Sequence, residues 1–153
     1  VAASAPPPRI AVLVSRYNEI VTRRLLDGAR EVLAAGGIPD SRIDVIWVPG
    51  AFELPVAAEA AAASGAYRAI VALGCVIRGE TSHYEYVAGE AARGLAEVAR
   101  VHRIALGFGV LTTEDQAQAL ARAGGAAGNK GQEAARAALE TAATLDRLRD
   151  GTP

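Results

Sequence analysis

The 153-residue sequence contains no methionine, one cysteine, one tryptophan and two histidines. Each scarcity excludes something. A lone cysteine, Cys75, cannot form an internal disulfide, so a reducing compartment, the cytoplasm, is the expected location. With only His83 and His102 beside it, there is no Cys/His cluster to hold a structural zinc. The missing methionine implies that the initiator is absent or was removed. Charge of one sign is missing too: the net charge is −1 and no basic block or stripe occurs. That argues against nucleic acid as a partner. Half of the residues are hydrophobic, yet no apolar run is long enough to span a bilayer, and no signal-peptide pattern opens the chain. Lysine is almost absent. Of 16 basic residues, only Lys130 is not arginine. A general preference for Arg would explain this. Alternatively, Lys130 marks a place where a compact ammonium is wanted and a planar guanidinium is not.

What is present fits one domain with a real core. Residues 1–8 (VAASAPPP) read as an extended arm. Its three prolines lack backbone donors, so it can pair only as an edge strand. Residues 9–153 form the domain. Apolar runs at Ile10–Val14, Ile43–Val48, Ala69–Ile77 and Ile104–Leu111 predict strands. Between them, helices are predicted over Glu19–Ala35, Val56–Ala63 and His83–Ala99. The first buries Ile20, Leu25, Leu26, Ala29, Val32 and Leu33. Thr113 is expected to cap a helix running to Arg122. A Gly-rich, flexible connection, Gly124–Gly131, then leads into an Ala-rich helix ending near Arg149. Alternating strands and helices give an α/β domain: a parallel sheet covered by helices on both faces. Ligands of such sheets sit at the carboxyl ends of strands. The segments to inspect are therefore Ser15–Glu19, Pro49–Glu53, Arg78–His83 and Thr112–Asp115.

The first of these turns has no glycine, which disfavours dinucleotide and FMN phosphates, because both need a close backbone approach. It offers Tyr17, either an aromatic face for a ligand or an ordinary packing residue. The second, Val48–Pro55, is stiffened by two prolines and a glycine and presents Glu53. That carboxylate either faces a ligand or simply favours a helix N-terminus. The third, Gly79-Glu80-Thr81-Ser82-His83, leaves a buried strand and enters a helix. Its open amides suit an anion such as phosphate, although a plain Ser/Thr cap would read the same way. His83 adds a proton carrier near neutral pH. His102 reads as a surface residue, and Cys75 as a buried, inert thiol. Arg122 and Lys130 could clamp a phosphate, or they could face solvent.

Five blocks, taken in order, carry a family resemblance. They are Arg16-Tyr17-Asn18, Gly50–Pro55, Gly74–Tyr84, Gly107–Thr112, and Arg122–Gly124 with Gly128–Gly131. Together, from about Arg9 to Leu148, they resemble the lumazine synthases. The resemblance implies a three-layer αβα sandwich on a flavodoxin-like four-stranded parallel sheet, with the N-terminal arm adding a strand to a neighbouring subunit. It implies a cytoplasmic transferase of riboflavin biosynthesis. Its substrates would be 5-amino-6-(D-ribitylamino)uracil and 3,4-dihydroxy-2-butanone 4-phosphate, with no metal and no organic cofactor. Carried over by position, Tyr17 and Phe108 would flank the pyrimidine. Ala51, Phe52 and Glu53 would bind its ring and ribityl chain, and Cys75, Val76 and Ile77 would line the ring pocket through backbone. Glu80 and Thr81 would hold phosphate through their amides. Arg122 would pair with it, Lys130 would add positive potential or act in subunit packing, and His83 would move protons. The resemblance also implies pentamers whose sites are shared, with Phe108 and Arg122 supplied by a neighbouring subunit, 60-subunit shells, and association with riboflavin synthase. Three departures stand out. Tyr17 replaces the more usual Phe or Trp, Glu80 replaces a small residue, and Ala126 stands where a Lys is often found.

Overall fold

A computed structural model describes residues 9–152. The expected arm, residues 1–8, lies outside the described residues. Strands β1 (Arg9–Ser15), β2 (Ile43–Val48), β3 (Tyr67–Ile77) and β4 (Ala105–Thr113) form a parallel sheet in the order β2-β1-β3-β4. The central strands are continuous apolar runs because both of their faces are covered. Ile10–Val14 and Ala69–Leu73 are fully buried.

Helices α1 (Glu19–Ala35), α2 (Leu54–Ala63), α3 (His83–His102), α4 (Gln116–Ala121) and α5 (Lys130–Arg149) complete the fold. Alternate residues of each strand point to opposite faces, and this divides the core in two. On one face, Val12, Val14 and Leu73 meet Leu25 and Leu33 of α1 and Ala134, Ala135 and Ala138 of α5. On the other, Leu13 and Ile70 meet Leu54 of α2 and Leu95 and Val98 of α3. Each large side chain so buried contributes about 1.5–3 kcal/mol of transfer free energy. The alanines of α5 let its backbone lie directly on the sheet. A Cβ on Gly107 of β4 would stand 1.9 Å from the Ala134 carbonyl oxygen. This is the expected three-layer, flavodoxin-like sandwich. The strand order reverses between β1 and β3, where a ligand crevice opens in folds of this kind.

Several local expectations need correction. Ile20 does not belong to the buried face of α1; it is 63% exposed, and Val21 takes the inward place. Thr113 does not cap α4. It is the last residue of β4, and Asp115 accepts the Gln118 amide at 2.8 Å instead. The stretch Gly124–Gly131 is not a loose connection. Its residues form a small antiparallel hairpin, β5 (Ala123–Gly125) with β6 (Gly128–Asn129), and Asn129 caps α5 through the amides of Gly131 and Gln132. His102 is not simply a surface residue. Its Nε2 lies 2.7 Å from Glu59 and ties α3 to α2. Among the described residues, no helix is long and apolar enough to cross a membrane.

Candidate active site

The turn after β1 is held by its neighbours. The Thr22 hydroxyl donates to the Ser15 carbonyl at 2.8 Å, closing the strand end against the helix that follows. The Arg16 amide donates to the carbonyls of Val48 and Pro49, and the Tyr17 amide donates to Pro49 at 2.9 Å. Asn18 takes the left-handed conformation (φ 63°, ψ 46°), which Asn tolerates better than most residues. Its side chain does not cap α1. It reaches across the sheet and donates to the Cys75 carbonyl at 3.0 Å. These bonds fix Tyr17 over the second turn, where Gly50 leaves room for it. A Cβ at Gly50 would lie 2.6 Å from Tyr17 Cδ2.

Residues 51–53 make a single 3₁₀ turn that feeds α2. Glu53 turns back, and its Oε1 accepts the Gly50 amide at 2.9 Å. Glu53 thus ties back to the backbone of its own turn through one carboxylate oxygen. This orients the other group of lone pairs.

At the start of α3 the plain-cap alternative fails. Ser82 makes no side-chain cap, and Thr81 Oγ1 accepts the His83 amide only at 3.4 Å. The His83 and Glu85 amides are engaged, by Thr81 Oγ1 and by the Ser82 carbonyl at 3.0 Å, while among the described residues the amides of Glu80 and Thr81 have no partner, with the N-terminal end of a 20-residue helix dipole behind them. Arg78, at the base of this loop, is engaged by Glu114 and Glu85 and lies over the Tyr84 ring. Its charge is already balanced.

These three turns surround a cleft of about 430 Å³ lined by Tyr17, Gly50, Ala51, Phe52, Glu53, His83, Tyr86 and Val87. The structure therefore brings Tyr17, Ala51, Phe52, Glu53 and His83 to one cleft. The Tyr17 and Phe52 rings are 66% and 57% exposed, which is far more than packing aromatics require. Cys75, Val76 and Ile77 end β3 beneath this region. None of the three lines the cleft, and the Cys75 thiol points into the core, where burial pushes its pKa up to about 11.

Phe108, Arg122 and Lys130 are not in this cleft. They line a separate hollow of about 400 Å³, together with Thr112 and Glu133. Phe108 projects from the edge strand β4, partly exposed. The Arg122 guanidinium rests on the Gln118 carbonyl at 3.0 Å, at the end of α4. Lys130 is the first residue of α5, where a cation works against the helix dipole. Among the described residues it has no ion-pair partner. That placement is a cost for stability.

Two participants escaped the sequence. Tyr86 lines the cleft one helical turn after His83, a spacing that could have revealed it. Asn18 was legible only as part of a motif, because its bond to Cys75 spans 57 positions of sequence.

With this geometry in place, comparison with known families gives a match. The family model for 6,7-dimethyl-8-ribityllumazine synthase covers residues 7–146.

Proposed function

Because the chain belongs to the 6,7-dimethyl-8-ribityllumazine synthase family, a family of transferases, we propose that it condenses 5-amino-6-(D-ribitylamino)uracil with 3,4-dihydroxy-2-butanone 4-phosphate. The products are 6,7-dimethyl-8-ribityllumazine, phosphate and water, at the penultimate step of riboflavin biosynthesis. The observation that carries the reading is the cleft in which exposed Tyr17 and Phe52, the Glu53 carboxylate and His83 converge at the carboxyl ends of three strands.

The roles follow from chemistry. Tyr17 offers its ring face to the flat pyrimidine. Glu53 accepts hydrogen bonds from ribityl hydroxyls with the lone pairs that Gly50 leaves free. Ala51 and the backbone of Cys75–Ile77 bound the ring. The open amides at Glu80 and Thr81 take the phosphate. A carbon–nitrogen double bond forms where the amine of one substrate meets the ketone of the other, and the ketone oxygen leaves as a first water. Phosphate leaves from the four-carbon unit, and the ring closes with loss of water. His83 carries protons between these steps. Most of the acceleration comes from holding the two reactants together.

In this reading Phe108, Arg122 and Lys130 complete the cleft of a neighbouring chain rather than their own. Phe108 then covers the other face of the pyrimidine, and Arg122 pairs with the phosphate. The chain works as a homo-oligomer, a pentamer that closes into a 60-subunit shell and associates with riboflavin synthase. Mixing the two substrates with purified protein tests the proposal. Lumazine absorbance and released phosphate should rise together; a rate no greater than the spontaneous one would refute it.

A further inference from the structure

The only tryptophan, Trp47, lies on β2 and does not line the cleft. It is half-buried on the α1 face of the sheet. Two guanidinium groups sit against its ring: the Arg16 Cζ is 4.9 Å from the centroid and the Arg23 Cζ is 5.0 Å away. Two like charges on one ring would repel. Glu19 stands between them, with one oxygen 3.6 Å from Arg16 and the other 2.8 Å from Arg23. The result is a closed set of four side chains joining β2 to the first turn of α1. Arg16 is also the residue immediately before Tyr17, and its amide is bonded to the carbonyls of Val48 and Pro49 directly after Trp47.

We propose that Trp47 and Arg16 are positioning residues. They clamp the β1–α1 turn from the side away from the cleft and so set the angle at which Tyr17 meets the pyrimidine. This rests on the functional reading above, in which Tyr17 stacks on that ring. The backbone bonds of residues 16 and 17 fix the height of the turn. Asn18 ties the turn to Cys75, and the Arg16 side chain is held by Trp47 and Glu19. A cation over an indole face is worth about 0.5–1 kcal/mol at a partly exposed site. That suffices to bias the turn without being needed for folding.

The test compares wild type with W47L, W47F and R16Q, using steady-state kinetics and the emission of the single tryptophan. W47L and R16Q should each raise KM for the ribitylaminouracil about three- to fivefold, the equivalent of the lost cation–π contact. KM for the butanone phosphate should stay unchanged in both. W47F keeps an aromatic face and should restore most of the loss. Saturating wild type and R16Q with the uracil substrate should shift Trp47 emission in wild type and shift it less in R16Q. If wild type turns over but W47L and R16Q keep both Michaelis constants within about twofold of it, the clamp is refuted and the functional reading stands. Equal rises in both constants refute it as well, because they point to a general structural effect. If wild type itself does not turn over, the functional reading falls and the clamp falls with it.

Discussion

The ring of Tyr17 rests on the bare backbone of Gly50, so close that a single added methyl would stand 2.6 Å from Cδ2. Gly50 has φ −141° and ψ −179°, an extended conformation open to any residue. The glycine is required for its missing side chain. G50A should therefore fold normally yet tilt Tyr17 away from its position. We expect KM for the uracil substrate to rise about tenfold or more, in line with the sensitivity of bound reactants to small displacements. The thermal midpoint should change little. Steady-state kinetics beside a melting curve checks both, and an unaltered KM would remove Tyr17 from the ring pocket.

Glu53 has two duties, and a pair of variants separates them. E53Q keeps an oxygen for the Gly50 amide but loses the charge. E53A loses both, and should also destabilise the protein by about 1 kcal/mol, the usual worth of a cap. Both should weaken binding of the ribityl substrate. Only E53A should lower the melting temperature.

Arg122 and His83 are expected to fail differently. R122A should raise KM for the butanone phosphate about tenfold or more, the scale of a charge-assisted hydrogen bond, and barely affect the uracil. H83A should slow turnover by no more than about 10²–10⁴-fold, because proton-transfer help is limited to that range and proximity survives. Equal effects of R122A on both substrates would contradict its pairing with phosphate.

At the opposite end of the sheet, Arg9 and the Tyr67 hydroxyl bind the Asp44 carboxylate. With Arg9 as the larger cause, its pKa falls to about 2. An unfolded aspartate titrates near about 3.9. The contribution of this cluster is therefore fully present above that value and is lost as pH falls through about 2. D44N should melt at a lower temperature than wild type near neutral pH. The gap should close between about pH 4 and pH 2. A gap that persists in strong acid would assign the effect to packing.

G107A tests the seat of α5. Its new Cβ would meet a backbone carbonyl at 1.9 Å, and a main chain cannot rotate away as a side chain can. Destabilisation should reach or exceed the upper end of the about 1–3 kcal/mol typical of overpacking. Chemical denaturation would measure it.

Much of this was readable in the chain itself. Ala69–Ile77 announces a strand buried on both faces, and the loops at the carboxyl ends of the strands point to Tyr17, Glu53 and His83. Where the reading failed, the cause was information that local pattern does not carry. Ile20 and Val21 are adjacent and equally apolar, so only the contact of α1 with the sheet decides which one turns inward. Thr113 and Asp115 are both good caps, and the choice depends on where β4 stops pairing with β3. Glycines at 124, 125 and 128 signal a turn, but the hairpin depends on the Ala123–Asn129 pairing and on the Asn129 side chain reaching the Arg24 carbonyl. That Tyr17 and Phe108 would face different hollows came from the family resemblance, which assigned Phe108 to a neighbouring subunit, and not from any local pattern.

That separation has a genetic consequence. A lesion in the Tyr17 cleft leaves the Phe108 hollow of the same chain intact, and the reverse also holds. E53A and R122A chains, each crippled alone, should regain activity when they assemble together. In a randomly mixed ring, about a quarter of the junctions unite two undamaged halves. Two mutant alleles expressed in one cell would then supply what neither can make, a dosage pattern expected only if the reacting centre belongs to the junction between chains.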